Sequence, residues 1–207
     1  MKYIITDIKR QMRNKNRYNL YGEEGFFTSL SSETILKYNL TVDMEIDKAF
    51  LDRLRQEDTV KYAKELSIGY VCYSPRTRFQ VEKHLAEKGI DNQSIAAAVA
   101  MLVEYGYIND AAYVEEFVRS YGNKLGERVM RLKLLERGIA RDVIEESLCV
   151  SPEAEMGAAM EIAGKLMRRY LALPSQKRRQ KVYAALLRRG FESDVIIQAL
   201  GEGEEDD

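Results

Sequence analysis

One phrase is written three times along this chain, and it constrains the fold more than any other feature of the sequence. Aligned on a glycine, the copies centre on Gly89, Gly138 and Gly190 at intervals of roughly 50 residues, a period at which helical repeats stack and share a core. In each copy a leucine lies four residues before the glycine, a basic residue directly precedes it, and an isoleucine or phenylalanine directly follows it. The apolar positions that recur are Leu85, Leu134, Leu186, Ile90, Ile139, Phe191, Ile95, Ile144 and Ile196.

The spacing around each glycine predicts a helix that ends in a left-handed cap and is followed directly by a second helix. Glycine is favoured there because it adopts positive φ without strain, and a basic residue in the last turn complements the helix dipole. A further amphipathic segment precedes each pair, so each unit has three helices. The predicted fold is mainly α, with three tandem three-helix repeats (58–105, 106–150 and 151–201) in an elongated arc. In the second repeat, Asn109 or Asp110 is expected to cap the first helix.

The first 57 residues follow a different pattern. Short β-prone segments separated by "NKN" and "GEEG" predict a small antiparallel β-rich region in residues 1–57. Ser31 or Ser32 is expected to cap one short helix, and Asp47 another, "KAFLDRL", which ends before the first repeat begins. The acidic residues 202–207, "EGEEDD", predict a disordered tail.

Composition excludes several classes of protein. Only Cys72 and Cys149 are present, without a CxxC spacing, so we expect a reduced, cytoplasmic protein with both cysteines in its core, rather than a disulfide or zinc protein. His84 is the only histidine and has no nucleophile pattern beside it, so a helix-surface role is expected and no catalytic, cofactor-binding or metal-binding residue is predicted. The start lacks a cleavage site and no window is apolar enough for a membrane helix, which predicts a soluble protein without a signal peptide.

Basic residues are concentrated in the third repeat, although the net charge of the chain is only −1. From Lys165 to Gly190 there are nine Lys or Arg and no acid, whereas a solvated helix face usually mixes both signs. Ser175 is expected to cap a helix, which places residues 177–179 in its first turn, at the positive end of the helix dipole. An anionic partner is therefore expected, and both a DNA backbone and an acidic protein surface fit. The nine residues are Lys165, Arg168, Arg169, Lys177, Arg178, Arg179, Lys181, Arg188 and Arg189.

Three long motifs carry a resemblance to a known family. The stretches "SPRTRFQVEKHLAEKGI" (74–90), "LVEYGYINDAAYVEEFVRSY" (102–121) and "GERVMRLKLLERGIARDVIEESL" (126–148) are similar to the RecX family, regulators of the RecA recombinase filament. Gln80 stands where that family often has Glu, but the Thr77–Gln80 spacing still predicts a capping box. The resemblance implies a cytoplasmic, non-enzymatic protein without cofactors. Such a protein lies in the helical groove of RecA on DNA and alters its ATPase and strand exchange in recombination, DNA repair and the SOS response.

The residues and the resemblance together lead to one main interpretation and two alternatives. The main interpretation is a monomeric regulator, specifically an inhibitor, of RecA, which binds the filament through basic faces of its repeats and makes weaker backbone contacts with single- or double-stranded DNA. The alternatives are a stand-alone, sequence-independent DNA-binding helical repeat protein and a neutral helical scaffold. The residues expected to contact the filament or DNA are Arg76, Arg78, Lys88, Arg128, Arg131, Arg137, Arg168, Arg169, Lys177, Arg178, Arg179, Lys181, Arg188 and Arg189.

Overall fold

The N-terminal part of the chain contains the predicted antiparallel β-structure. The computed structural model describes residues 2–12 and 14–201, so the predicted tail lies outside the described residues. Strands β2 (Asp7–Arg10), β3 (Arg17–Gly22) and β4 (Gly25–Ser31) form a three-stranded antiparallel sheet in that order. The residues before "NKN" contain two strands rather than one. The additional strand, β1 (Lys2–Ile4), precedes β2 and pairs antiparallel with β5 (Glu45–Asp47).

Two N-terminal helices begin at the predicted caps. The Ser31 side chain accepts from the backbone N–H of Thr34 at the start of α1 (Ser32–Lys37), and the Asp47 carboxylate accepts from the N–H of Phe50 at the start of α2. The helix that begins after Asp47 does not stop before the first repeat. It continues as α2 (Lys48–Tyr73), 26 residues long, so the two helices predicted in this stretch are one.

Asp58 explains why α2 is continuous. An Asp followed by Thr looks like a helix start in the sequence, but this carboxylate caps no helix. Its Oδ2 lies 2.9 Å from Nη2 of Arg17, and its Oδ1 accepts from the N–H of Ser31 and from Oγ1 of Thr34, each at 2.8 Å. Asp58 is 3% exposed, and a buried carboxylate is stable only when it is paired and hydrogen-bonded. The network fastens α2 to β3, β4 and α1.

The described residues form two compact units, and the repeats follow the predicted order of three helices each. The first unit comprises Met1–Ser74 and Val81–Tyr105, and the second comprises Pro75–Gln80 and the residues from Gly106 onward. The first and third helices of each repeat pack against each other. No helix in the described residues is long and apolar enough to cross a membrane. The repeat helices after α2 are α3 (Arg78–Glu87), α4 (Asn92–Glu104), α5 (Asp110–Tyr121), α6 (Glu127–Glu136), α7 (Arg141–Ser147), α8 (Pro152–Arg169), α9 (Ser175–Arg189) and α10 (Ser193–Leu200).

The apolar positions that recur in the sequence form the cores. All nine are buried, and Leu85, Leu134, Leu186 and Phe191 are fully so. Burying a side chain of this size contributes about 1.5–3 kcal/mol to stability. Because each helix pair around a glycine supplies only a few such residues, the first helix of the repeat is needed to complete the core, as Val114 and Phe117 of α5 do in the second repeat.

The three repeat glycines have the predicted left-handed conformation. Their φ angles are +77° for Gly89, +75° for Gly138 and +93° for Gly190. In the second repeat the N–H of Ile139 donates to the carbonyl of Leu134 at 3.2 Å, the long hydrogen bond of a Schellman cap. The first and third repeats make the equivalent bond. The bond brings the leucine and the residue after glycine together, and both are apolar because both are buried in each repeat.

The predicted side-chain caps are present at the starts of α3 and α5. The Thr77–Gln80 capping box is present, because Gln80 N–H donates to Thr77 Oγ1 at 3.2 Å and Thr77 N–H donates to Gln80 Oε1 at 3.1 Å. Of the two candidates for α5, Asn109 is the cap, and its Oδ1 accepts from the N–H of Ala112. Asp110 accepts instead from the N–H of Arg78. These bonds join residues close in sequence, with the exception of the last.

The start of α3 covers the turn at Gly138 within the second unit. Thr77 Oγ1 donates to the carbonyl of Arg137 at 2.7 Å. A Cβ placed on Gly138 would lie 2.2 Å from the Phe79 ring, so the ring packs where a side chain would otherwise stand. Gly138 is therefore required both for positive φ and for this close approach.

The start of α6 covers the turn at Gly190 in the same way. The N–H of Gly126 donates to the carbonyl of Arg189 at 3.0 Å. A Cβ on Gly190 would lie 2.5 Å from the backbone nitrogen of Val129, and a Cβ on Gly126 would lie 2.4 Å from the carbonyl carbon of Gly190. By contrast, a Cβ on Gly89 would meet nothing within 4 Å. The same joint is thus built twice, on the second and third glycines.

Candidate functional site

Several of the predicted contact residues are exposed cations on the third repeat. Arg168 and Arg169 lie in the last turn of α8, where positive charge complements the helix dipole. Within residues 2–12 and 14–201, the exposed side chains of Arg168, Arg169, Lys177 and Arg188 form no ion pair and no hydrogen bond. Lys165 differs, because its Nζ lies 2.5 Å from Oε1 of Glu161. That hydrogen bond lowers the pKa of the Glu161 carboxyl below its ordinary value.

Three of the cations share one face of α9. Lys177, Lys181 and Arg188 are separated by four and seven residues, and such spacings bring side chains onto the same side of a helix. At 1.5 Å per residue the stripe extends over about 16 Å. Lys181 also lies over the ring of Tyr170, 5.4 Å from its centroid. The arrangement is a linear set of positive charges, suited to a linear or extended anion.

The start of α9 departs from the prediction. Ser175 is not the cap but the first helical residue, and Pro174 occupies the cap position without a side-chain hydrogen bond. The carbonyl of Pro174 accepts the first bond of the helix, from the N–H of Arg178 at 2.9 Å. Lys177 is therefore the third helical residue and Arg178 the fourth, so no capping box between Ser175 and position 178 is available. The first turn still contains no acidic residue.

Arg178 and Arg179 are half-buried rather than exposed to solvent. The guanidinium of Arg179 donates to the carbonyl of Leu200 at 3.1 Å and to that of Gly201 at 2.6 Å. It thereby satisfies carbonyls at the end of α10 that have no partner within that helix. The Nε of Arg178 is buried and has no acceptor among the described residues. Arg179 therefore has a structural role that its position in the basic run did not reveal.

The three predicted contact residues of the second repeat have partners within the chain. Arg128 donates to the carbonyl of Leu187 at 2.9 Å, and Arg131 to Oε1 of Glu127 at 2.7 Å. Arg137 donates to the hydroxyl of Tyr113 and lies over the ring of Phe117, 4.9 Å from its centroid. A partner that binds these side chains has to compete with these contacts.

The remaining predicted cations lie at or next to the ends of α3 and α9. The guanidinium of Arg189 donates to the carbonyl of Ala185, one turn earlier in its own helix. Lys88 is exposed and belongs to the first unit. Arg76 and Arg78 each interact with other residues of the chain, and both belong to Pro75–Gln80, which is part of the second unit. The predicted residues are therefore divided between the two units, and in the third repeat the exposed Arg168, Arg169, Lys177 and Arg188 lack an ion pair among the described residues.

The histidine and the cysteines have different outcomes. The imidazole of His84 stacks on the ring of Tyr70 with 4.1 Å between centroids, consistent with the predicted place on a helix surface. The prediction that Cys72 and Cys149 lie in the core is wrong, since both are exposed. Cys72 lies in the last turn of α2, and Cys149 follows the end of α7. In the described part of the chain, His, Cys, Asp and Glu form no group of three that could hold a metal ion.

Family models match most of the chain. Residues 3–47 match the regulatory protein RecX N-terminal domain, residues 109–148 the second three-helix domain of RecX, and residues 153–200 the third three-helix domain. The two three-helix matches coincide with α5–α7 and α8–α10. The N-terminal match coincides with the strands and α1.

Similar proteins and solved structures agree with these matches. The regulatory protein RecX of Levilactobacillus brevis is 31% identical over 201 residues, covering 95% of this chain and 75% of that protein. The regulatory protein RecX of Clostridium botulinum strain Alaska E43 is also 31% identical, covering 96% and 95%. A crystal structure of regulatory protein RecX superposes with a TM-score of 0.67 at 27% identity, covering 94% of this chain and 97% of that one. The structure of RecX from Lactobacillus salivarius gives 0.65 at 27% identity, covering 70% and 96%.

Proposed function

Because this chain belongs to the RecX family of regulatory proteins, we propose that it inhibits RecA in the cytoplasm by binding as a monomer in the groove of the RecA–DNA filament. The binding surface is the basic side of the third repeat, with weaker contacts to the DNA backbone. The inhibition lowers the ATPase and strand exchange of the filament.

The observation that carries this proposal is the set of exposed cations without counter-ions. Arg168, Arg169, Lys177 and Arg188 have no ion-pair partner among the described residues, while other cations of the second unit, such as Arg119 and Arg131, do. Like charges on one face of a helix repel each other in the free protein. An anionic partner removes that cost, and extended basic patches of this kind attract acidic surfaces and phosphate backbones.

The contacts within the chain divide the predicted residues into two groups. Arg168, Arg169, Lys177, Lys181 and Arg188 are available without breaking a hydrogen bond to any residue that the structure describes. Arg128, Arg131, Arg137, Arg179 and Arg189 donate within the chain. We therefore assign the main filament contact to the first group and a supporting structural role to the second.

The test compares substitutions that each remove one positive charge from the surface. We expect Arg169→Gln or Arg168→Gln to weaken capture by RecA filaments on single-stranded DNA several-fold at low salt, and to reduce inhibition of the RecA ATPase to the same degree. The matched control is Arg119→Gln, which removes an exposed cation already paired with Glu116 at 2.6 Å. An equal loss in the control would show that only bulk charge matters. Unchanged capture in both arginine variants would exclude this surface.

A salt series separates the filament from bare DNA as the target. Binding through phosphate contacts alone weakens steeply with salt, because counter-ions are released from the DNA. We expect RecA filaments to capture the protein at a salt concentration that abolishes its binding to bare DNA. Equal binding to bare DNA and to filaments across the series would favour the stand-alone DNA-binding alternative.

A further inference from the structure

A second feature of the second unit is an open pocket lined by aromatic rings. Its volume is about 380 Å³, and it is lined by one side of α5 along its whole length, the turn before that helix and the segment at Pro75. Phe117, 5% exposed, contributes to its lining, and Tyr121 stacks on that ring with 4.6 Å between centroids. Tyr107 and Tyr121 present 53% and 40% of their surfaces to solvent. The volume falls at the lower end of small-molecule sites, which span about 300–1,000 Å³.

Three of these aromatic residues are brought together by helix periodicity. Tyr113, Phe117 and Tyr121 follow one another at four-residue intervals on α5, which places them on one side of the helix. Tyr107 comes from the preceding turn. The pocket depends on this turn, because Tyr107 lies outside the helix.

One cation lines the pocket, and two others lie over its rings. Arg76 lines the pocket, the Arg137 guanidinium lies 4.9 Å from the Phe117 centroid, and the Lys124 ammonium lies 5.7 Å from that of Tyr121. The one carboxylate in the lining, Glu116, is paired with Arg119. The amide NH2 of Asn109, also in the lining, has no acceptor within the described ranges, since only its oxygen is used, as the α5 cap.

This chemistry fits a nucleobase better than an aliphatic side chain. A flat π-system stacks on exposed tyrosine faces, a base carbonyl accepts from a free amide NH2, and the attached phosphates are attracted by the surrounding cations. We propose that the pocket binds a base of a single nucleic-acid strand, stacked on Tyr107 and Tyr121. The site is separate from the cationic stripe of α9, and its occupation does not require RecA.

The experiment uses the full-length protein without RecA and two labelled strands of equal length. One is an oligothymidylate, and the other carries abasic sites in its central part, which keep every phosphate but remove the bases. We expect the intact protein to bind the first strand more tightly. Tyr107→Ala should weaken binding of the oligothymidylate about 5- to 150-fold, the range that one lost base–aromatic stack produces, and leave the abasic strand unaffected.

Two variants and a salt series make the test specific. Tyr107→Phe keeps the ring and should retain binding. Tyr105→Ala removes a tyrosine that is 70% exposed and lies outside the pocket lining, two residues away, and should have no effect. The dependence of binding on salt should be the same for Tyr107→Ala and the parent, since no phosphate contact is lost. Equal affinity of the parent for the two strands, equal losses in both alanine variants, or no measurable binding to either strand at low salt would each overturn the proposal.

Discussion

The three repeat glycines offer a matched comparison of backbone strain and close packing. Gly89 and Gly190 have φ angles of +77° and +93°, so an alanine at either position adopts a left-handed conformation that costs about 1–2 kcal/mol. Their surroundings differ. A Cβ at Gly89 meets nothing within 4 Å, whereas a Cβ at Gly190 lies 2.5 Å from the backbone nitrogen of Val129.

The difference in surroundings sets the expected magnitudes. At Gly190 the obstructing atom is backbone, so α6 has to move, and overpacking of this kind costs about 1–3 kcal/mol. Gly190→Ala should therefore destabilise by about 2–5 kcal/mol and Gly89→Ala by about 1–2 kcal/mol. Gly138→Ala should cost about as much as Gly190→Ala, because a Cβ there lies 2.3 Å from the Cβ of Phe79, which rotation of that side chain does not move.

Urea unfolding followed by circular dichroism gives the free energy of each variant. Because the chain has two units, hydrogen exchange measured by mass spectrometry should locate the loss. In Gly190→Ala, protection should fall both around Leu186 and in α6, since the N–H of Gly126 donates to the carbonyl of Arg189 across this joint. In Gly89→Ala the loss should be confined to its own turn. Equal destabilisation by the two substitutions would refute the idea that glycine is needed at 190 for close approach.

Three further outcomes are expected. Asp58→Ala should destabilise the protein by about 3–5 kcal/mol in urea unfolding, because it leaves a partly buried Arg17 uncompensated, while Asp58→Asn should cost less since its amide oxygen can still accept from Ser31. The hydroxyl and N–H of Ser94 donate to Asp91 and lower the pKa of its carboxyl. The ionised carboxyl therefore stabilises the fold above its ordinary pKa, and this stabilisation is lost as the pH falls through the lowered pKa of the folded state. The free energy of unfolding of Asp91→Asn should accordingly depend less on pH in this acidic range than that of the parent. Deleting Glu202–Asp207 should tighten binding to filaments or DNA, most clearly at low salt in an anisotropy titration, because an acidic tail competes with the anionic partner; unchanged binding would exclude competition.

Local features of this fold could be predicted from the sequence because their partners lie within a few residues. A helix cap joins positions three apart, which is why the Thr77–Gln80 box and the caps at Ser31 and Asp47 were predictable. The exception at Ser175 also has a local cause. Pro174, with φ −52°, takes the cap position, and its carbonyl accepts the first bond of the helix.

Features that depend on distant partners were predicted poorly. Asp58 has the local pattern of a helix start, but its hydrogen-bond donors come from residues 24 to 41 positions away, so α2 continues through it. In the basic run, Arg179 and Arg168 look alike. Only the packing of α10 shows that Arg179 donates to carbonyls 21 and 22 residues later, while Arg168 has no partner among the residues described.

The sequence by itself therefore determined the period of the repeats, the left-handed glycines and the apolar residues that seal them, because each depends on spacing within one turn of helix. Only the tertiary structure decided three other features. It showed that Gly138 and Gly190 are also points of close contact, that five of the predicted arginines donate hydrogen bonds within the chain, and that four aromatic residues line an open pocket beside α5. The physical reason is the same in each case: a hydrogen bond or a van der Waals contact acts over a few ångströms in space, whatever the separation of its partners along the chain.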